Sequence, residues 1–74
     1  MKVHYEHHDG YQYDKIVADF AAARKAIADE RDATFEYIAP EYISDVFPIR
    51  YDIEGEIPEG ESSFGYINEL GEIF

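Results

Sequence analysis

The chain opens on a strict alternation: in Lys2-Val3-His4-Tyr5-Glu6, Val3 and Tyr5 fall on one face and His4 and Glu6 on the other. Period-two patterning of this kind belongs to a half-buried strand. Asp9-Gly10 follows as a turn signal, and Tyr11-Gln12-Tyr13 either returns as a hairpin partner or leads directly into a helix. The period then changes. Between about Asp14 and Arg31, Ile16, Phe20, Ala23 and Ile27 recur at helical spacing with Val17 beside them, while Asp19, Arg24, Lys25 and Asp29 occupy other faces. Asp14 is the predicted N-cap, where a carboxylate accepts an orphan backbone N–H and suits the positive end of the helix dipole. At the other end Asp29, Glu30 and Asp32 oppose the dipole and only Arg31 compensates, which predicts an imperfect terminus.

Thr34 to Ile38 (TFEYI) is rich in strand formers. Ala39-Pro40-Glu41 interrupts that run, and Tyr42-Ile43-Ser44-Asp45 reads as a turn of helix or an irregular link. Ile49, Tyr51 and Ile53 alternate with Arg50, Asp52 and Glu54, the cleanest half-buried strand pattern in the chain. Residues 55–63 form a polar loop containing Gly55, Pro58 and Gly60, Phe64 to Ile67 reads as the returning strand, and Leu70, Ile73 and Phe74 add an apolar patch. Tyr5, Tyr37, Tyr51 and Tyr66 are expected on the apolar face of the sheet. Tyr11, Tyr13 and Tyr42 lie in less regular segments, where tyrosine serves well as a binding anchor. These elements sum to an α+β fold: a small antiparallel sheet of three to four strands with one helix packed on one face, residues 1–74 making a single domain.

Composition sharpens this picture. A 74-residue chain buries only about 60–65% of the surface it exposes when unfolded, so the margin of stability is thin. With 46% apolar residues, five Phe and seven Tyr, it nevertheless has the material for a core that acidic disordered chains lack. There is no cysteine, so neither a disulfide framework nor a thiolate metal site can staple the fold. No basic-then-apolar leader and no long apolar run is present, which points to the cytosol and away from a membrane.

Charge changes the picture most. Seventeen acids against six bases give −11, unevenly placed. Met1 to Arg31 holds six acids and five bases; Asp32 to Phe74 holds eleven acids and one base, Arg50. A field of that sign repels nucleic acid and anionic membranes and attracts basic protein surfaces. On an extended segment, Asp52, Glu54 and Glu56 would project from one face at intervals of about 6.6–6.8 Å, comparable to successive phosphates along a nucleic-acid strand. With Glu59 and Glu61 they form an acidic array that a groove of Lys and Arg built for phosphates would accept. The competing reading is a solvated face kept soluble by its charge.

Other chemistries find less support. His4, His7 and His8 supply metal-ligand atoms, but on a strand His4 and His8 stand about 13 Å apart and His7 and His8 face opposite ways. No metal site is therefore expected. Asp52, Glu54 and Glu56 match three positions of an EF-hand loop, yet Ile57 stands where glycine is needed and Ser63 where the bidentate glutamate is needed. Ser44, Ser62 and Ser63 lack any nucleophile elbow or triad context, no glycine loop is present to cradle phosphates, and no cofactor is expected. A non-enzymatic protein is the expectation.

In size, absence of cysteine, charge and compact aromatic α+β pattern, the chain resembles the small acidic anti-defence proteins of bacteriophages and mobile elements, including DNA mimics and anti-CRISPR proteins. These share no motif, so the resemblance carries over no residue. What it implies is a stoichiometric inhibitor acting in the host bacterial cytosol. Its partner would be the basic surface of a nucleic-acid-binding protein, a CRISPR effector or similar, with no direct contact to nucleic acid. The predicted partner-binding residues are Asp52, Glu54, Glu56, Glu59, Glu61 and Tyr42. The alternative is an interaction or regulatory module, homodimeric in one form, binding through Leu70, Ile73 and Phe74.

Overall fold

A computed structural model describes residues 1–6, 10–36 and 49–74. Its elements are β1 (Lys2–Glu6), β2 (Gln12–Ile16), α1 (Phe20–Phe35), β3 (Ile49–Glu54) and β4 (Phe64–Ile67). The four strands form one sheet in the order β2-β1-β3-β4, and every neighbouring pair is antiparallel. The fold is α+β, with the helix on one face of the sheet.

Alternation decides which side chains meet the helix. Val3 and Tyr5 of β1, Ile49, Tyr51 and Ile53 of β3, and Ile67 of β4 are buried against Ala23, Ala26 and Ile27 of α1. Burying a side chain such as Ile27 fully is worth about 1.5–3 kcal/mol. One polar group joins this core. Thr34 is 1% exposed, and its Oγ1 accepts a hydrogen bond from the Tyr5 hydroxyl at 3.2 Å, which offsets the cost of burial.

The N-terminal region differs from the helical reading of Asp14 onward. Gly10 has φ 89°, the left-handed conformation that turns need and glycine adopts without strain. The chain then runs back along β1, so the hairpin alternative holds. Asp14 lies in β2 opposite His4, and Ile16 is 75% exposed on that strand. The helix begins at Phe20, capped by Asp19, whose carboxylate accepts the Ala22 N–H at 2.8 Å. Two extra strand hydrogen bonds tie Met1 to Val17, Val17 N–H to Met1 O at 2.8 Å and Met1 N to Val17 O at 3.2 Å. Strand pairing thus continues past the point where helical periodicity begins.

The strand expected from Thr34 is also corrected, because Thr34 and Phe35 end α1. Tertiary contact with Tyr5 outweighs the local strand preference of threonine. Tyr37, Ile38 and the link through Asp45 lie outside the described residues. No basic residue occupies the last helical turn. Arg31 instead bonds Asp32 at 3.0 Å and, through Nη1, the Gly71 carbonyl at 3.0 Å, docking the 68–71 turn on the helix.

After β4 the chain turns at Asn68, whose Oδ1 accepts the Leu70 and Glu72 N–H groups at 3.0 and 2.9 Å. It returns to pair Phe74 with Tyr66 through two backbone hydrogen bonds, of 2.9 and 3.2 Å. No described helix is long and apolar enough to cross a membrane.

Candidate functional site

The face of the sheet away from the helix carries the polar half of the β1 and β3 alternations, together with Ile16 of β2 and Phe64 and Tyr66 of β4. Register lays it out in rows. Gln12, Glu6, Arg50 and Tyr66 form one row, and Asp14, His4, Asp52 and Phe64 the next. Ile16, Lys2 and Glu54 form the third. Phe64 and Tyr66 are therefore exposed, at 69% and 47%. This corrects the placement of Tyr66 on the apolar face. Ile67 takes the buried position and Gly65 fills the other inward one, facing Tyr51.

Gly65 is required there. A Cβ at this position would sit 1.7 Å from the Phe74 main-chain oxygen and 2.5 Å from the Tyr51 hydroxyl. That hydroxyl donates to the same Phe74 oxygen at 2.5 Å and accepts from Arg24 Nη1 at 3.1 Å. Phe74 is thereby fixed beside Tyr66, the two rings stacked at 5.0 Å between centroids. Phe74 and Leu70 are 52% and 75% exposed, whereas Ile73 packs against the core.

Ion pairing divides the acids into two populations. Glu6 and Asp14 both bond His4, at 3.1 and 2.6 Å, and hold its imidazole above its ordinary pKa, chiefly through the Asp14 hydrogen bond. The same contact holds Asp14 below the usual carboxylate range. Asp29 pairs with Lys25 at 2.8 Å and Asp32 with Arg31 at 3.0 Å, while Glu30 accepts from the Tyr11 hydroxyl at 3.0 Å. Asp52, Glu54, Glu56, Glu59 and Glu61 are all exposed, and none makes an ion pair or side-chain hydrogen bond with another described residue.

Their arrangement is more specific than an even stripe. Asp52 and Glu54 share the open face, opposite His4 and Lys2 respectively. The strand then ends, and Gly55, at φ 144°, packs against Met1 and redirects the chain, so Glu56 does not continue the strand spacing. Ile57 anchors the loop by packing against the core. Glu59 and Glu61 flank Gly60 in a tight turn closed by Glu61 N–H to Pro58 O at 3.1 Å, and the Gly60 φ of 85° is that of a type II turn. Ile53 N–H to Ser63 O, at 2.6 Å, ties off the loop base. Five carboxylates thus run from an open sheet face onto a braced loop, and Tyr42, the sixth predicted contact, lies outside the described residues.

Phe64 is the candidate contact that sequence reasoning missed. Phe64-Gly65-Tyr66-Ile67 does not announce its own register, and pairing with β3 is what turns both aromatics outward. The open face also holds a shallow depression of 270 Å³ lined by His4, Glu6, Arg50, Asp52 and Phe64. Arg50, the one base after Arg31, is exposed between Glu6 and Tyr66. Among the described residues no group of three or more His, Cys, Asp or Glu side chains is arranged to hold a metal ion. His7 and His8 lie outside those residues.

The chain matches no protein-family profile, no curated protein and no solved structure. A functional reading therefore rests on the geometry of this face and loop.

Proposed function

We propose that this chain is a non-catalytic, stoichiometric inhibitor that occupies the nucleic-acid-binding surface of a host defence protein. It is an inhibitor of the anti-CRISPR or DNA-mimic kind, acting in the bacterial cytosol. The observation that carries this reading is the contrast in pairing. Most acids of the first half are neutralised by bases or held by hydrogen bonds, whereas Asp52, Glu54, Glu56, Glu59 and Glu61 have neither among the described residues. Keeping five carboxylates unpaired in a domain of charge −11 costs stability through self-repulsion. A basic partner recovers that cost on binding, and charge complementarity of this sort speeds association and selects partners. Phe64 beside Asp52 adds an exposed ring of the type that anchors interfaces.

The reading is tested by capture from a bacterial lysate on the immobilised protein, with washes of rising salt and then excess duplex DNA or RNA. A nucleic-acid-binding protein that is retained at low salt and released by either treatment supports it. Retention unaffected by both contradicts it.

A second reading draws on the C-terminal segment, where exposed Leu70 and the stacked Tyr66–Phe74 pair offer an apolar surface. On that reading the chain is an interaction module, with self-association as its simplest form. It requires binding that survives high salt and is lost when the segment after Asn68 is removed.

A further inference from the structure

The braced loop does more than carry carboxylates, because it forms one wall of a groove. The opposite wall is the first turn of α1 with the residues leading into it, 18–21, and the space between them is 570 Å³. Met1, Phe20, Ile57 and Pro58 give the groove an apolar lining, and Glu56 and Glu59 stand at it with no described partner. No lysine or arginine lines it. The Met1 α-ammonium at this groove donates to Val17 O at 3.2 Å and the third acid, Asp19, accepts the Ala22 N–H, which leaves Glu56 and Glu59 as its charged groups without a described partner.

A lining that is apolar along its length and anionic at its edge has one complementary side-chain type. Arginine and lysine carry an aliphatic stem that packs on apolar surface and a cationic head that seeks carboxylate. Arginine fits better, since its planar fork can engage a carboxylate with two hydrogen bonds and is more weakly hydrated than an ammonium. The open sheet face lacks this combination: there Asp52 and Glu54 stand opposite His4 and Lys2, and Arg50 lies in the same depression.

We infer that the groove between the 18–21 segment and the 56–59 loop seats an arginine side chain of the basic partner, its stem on Phe20, Ile57 and Pro58 and its guanidinium on Glu56 and Glu59. This rests on the inhibitor reading above and locates one contact within that interface. The loop is built to hold the groove open in one shape. Gly55 packs its backbone on Met1, Ile57 fixes it to the core, and the Pro58–Glu61 turn closes its tip.

The test uses two blocked tetrapeptides of equal charge, tetra-arginine and tetra(2-amino-3-guanidinopropionic acid), whose stems are two methylenes shorter. Each is titrated at low salt into the isotopically labelled protein while backbone amide resonances are followed. Tetra-arginine is expected to bind about three- to tenfold more tightly, because only its stem reaches the apolar lining. Its largest shifts fall at 18–21 and 56–59. The E56Q/E59Q variant, isosteric at two exposed positions with no partner among the described residues, is expected to weaken tetra-arginine at least threefold, and the equally isosteric D52N/E54Q to weaken it less. Equal affinity for the two peptides, with shifts spread over Asp52, Glu54 and Glu61, overturns the groove and leaves the acidic reading standing. Failure of both peptides to bind at low salt overturns both readings.

Discussion

His4 Nδ1 lies 2.6 Å from Asp14 Oδ1 across the β1–β2 pair, while its Nε2 lies 3.1 Å from Glu6 Oε2. An imidazole bonded to two carboxylates in this way is favoured in its charged form, and its pKa is raised. A raised folded-state pKa gives stability that is fully present below the unfolded value, about 6.5, and is lost as pH rises through the folded value. Asp14, whose pKa is lowered, contributes above its unfolded value near 3.9 and loses that contribution as pH falls through its folded value. The pair therefore stabilises most between about pH 4 and 6.5. An NMR titration of His4 is expected to show a midpoint above that of an unperturbed histidine, moving down in D14N. A D14N midpoint equal to wild type would remove Asp14 as the cause.

Gly65 separates a structural requirement from a tolerated residue. Since a Cβ there would overlap the Phe74 main-chain oxygen, G65A must displace the returning C-terminal segment or distort β4. A loss of about 1–3 kcal/mol in denaturant unfolding is expected, as for an overpacked site. G60S, at a position with open space around it, should cost less despite its positive φ. Equal costs would show that the Phe74 contact contributes nothing.

The start of α1 rests on Asp19. Removing its carboxylate in D19A is expected to cost about 1 kcal/mol, with faster amide exchange at Ala22. D14A should leave that amide protected, because Asp14 lies in β2. Exchange at Ala22 that responds to D14A instead would return the cap to the position suggested by helical periodicity.

Ile16 and Ile27 show how far the fold was legible. Both satisfy the helical spacing, but only Ile27 is buried, while Ile16 is three-quarters exposed on the edge strand. A period of 3.6 and a period of two both accommodate Ile16 and Val17 within such a short window, and only the partner strand decides between them. I27A is accordingly expected to cost about 2–5 kcal/mol and I16A under about 0.5 kcal/mol in urea unfolding. By contrast β1 and β3 were readable directly, since five or six residues of clean alternation leave no competing period. Thr34 was not, because its burial depends on a hydroxyl twenty-nine residues away, on Tyr5.

The site was legible in charge and not in shape. Composition already places Asp52, Glu54, Glu56, Glu59 and Glu61 in the acidic half. That Gly55 ends the even spacing, and that Phe64 joins the face, follow from backbone conformation and strand register. The loop beginning at Gly55 is legible from its residue types, whereas the outward turn of Phe64 is set by its partner strand.

The central claim, that the unpaired acids are the interface, is tested most directly by charge reversal at Asp52 and Glu54 together. The measurement is calorimetric titration of D52K/E54K against the nucleic-acid-binding protein recovered from lysate, at low salt, with circular dichroism as a check on folding. Both side chains are exposed and have no partner among the described residues, so an unchanged dichroism spectrum and a heat of binding below detection are predicted. A folded variant that binds with wild-type affinity would contradict the claim and leave the acidic face as a device for solubility.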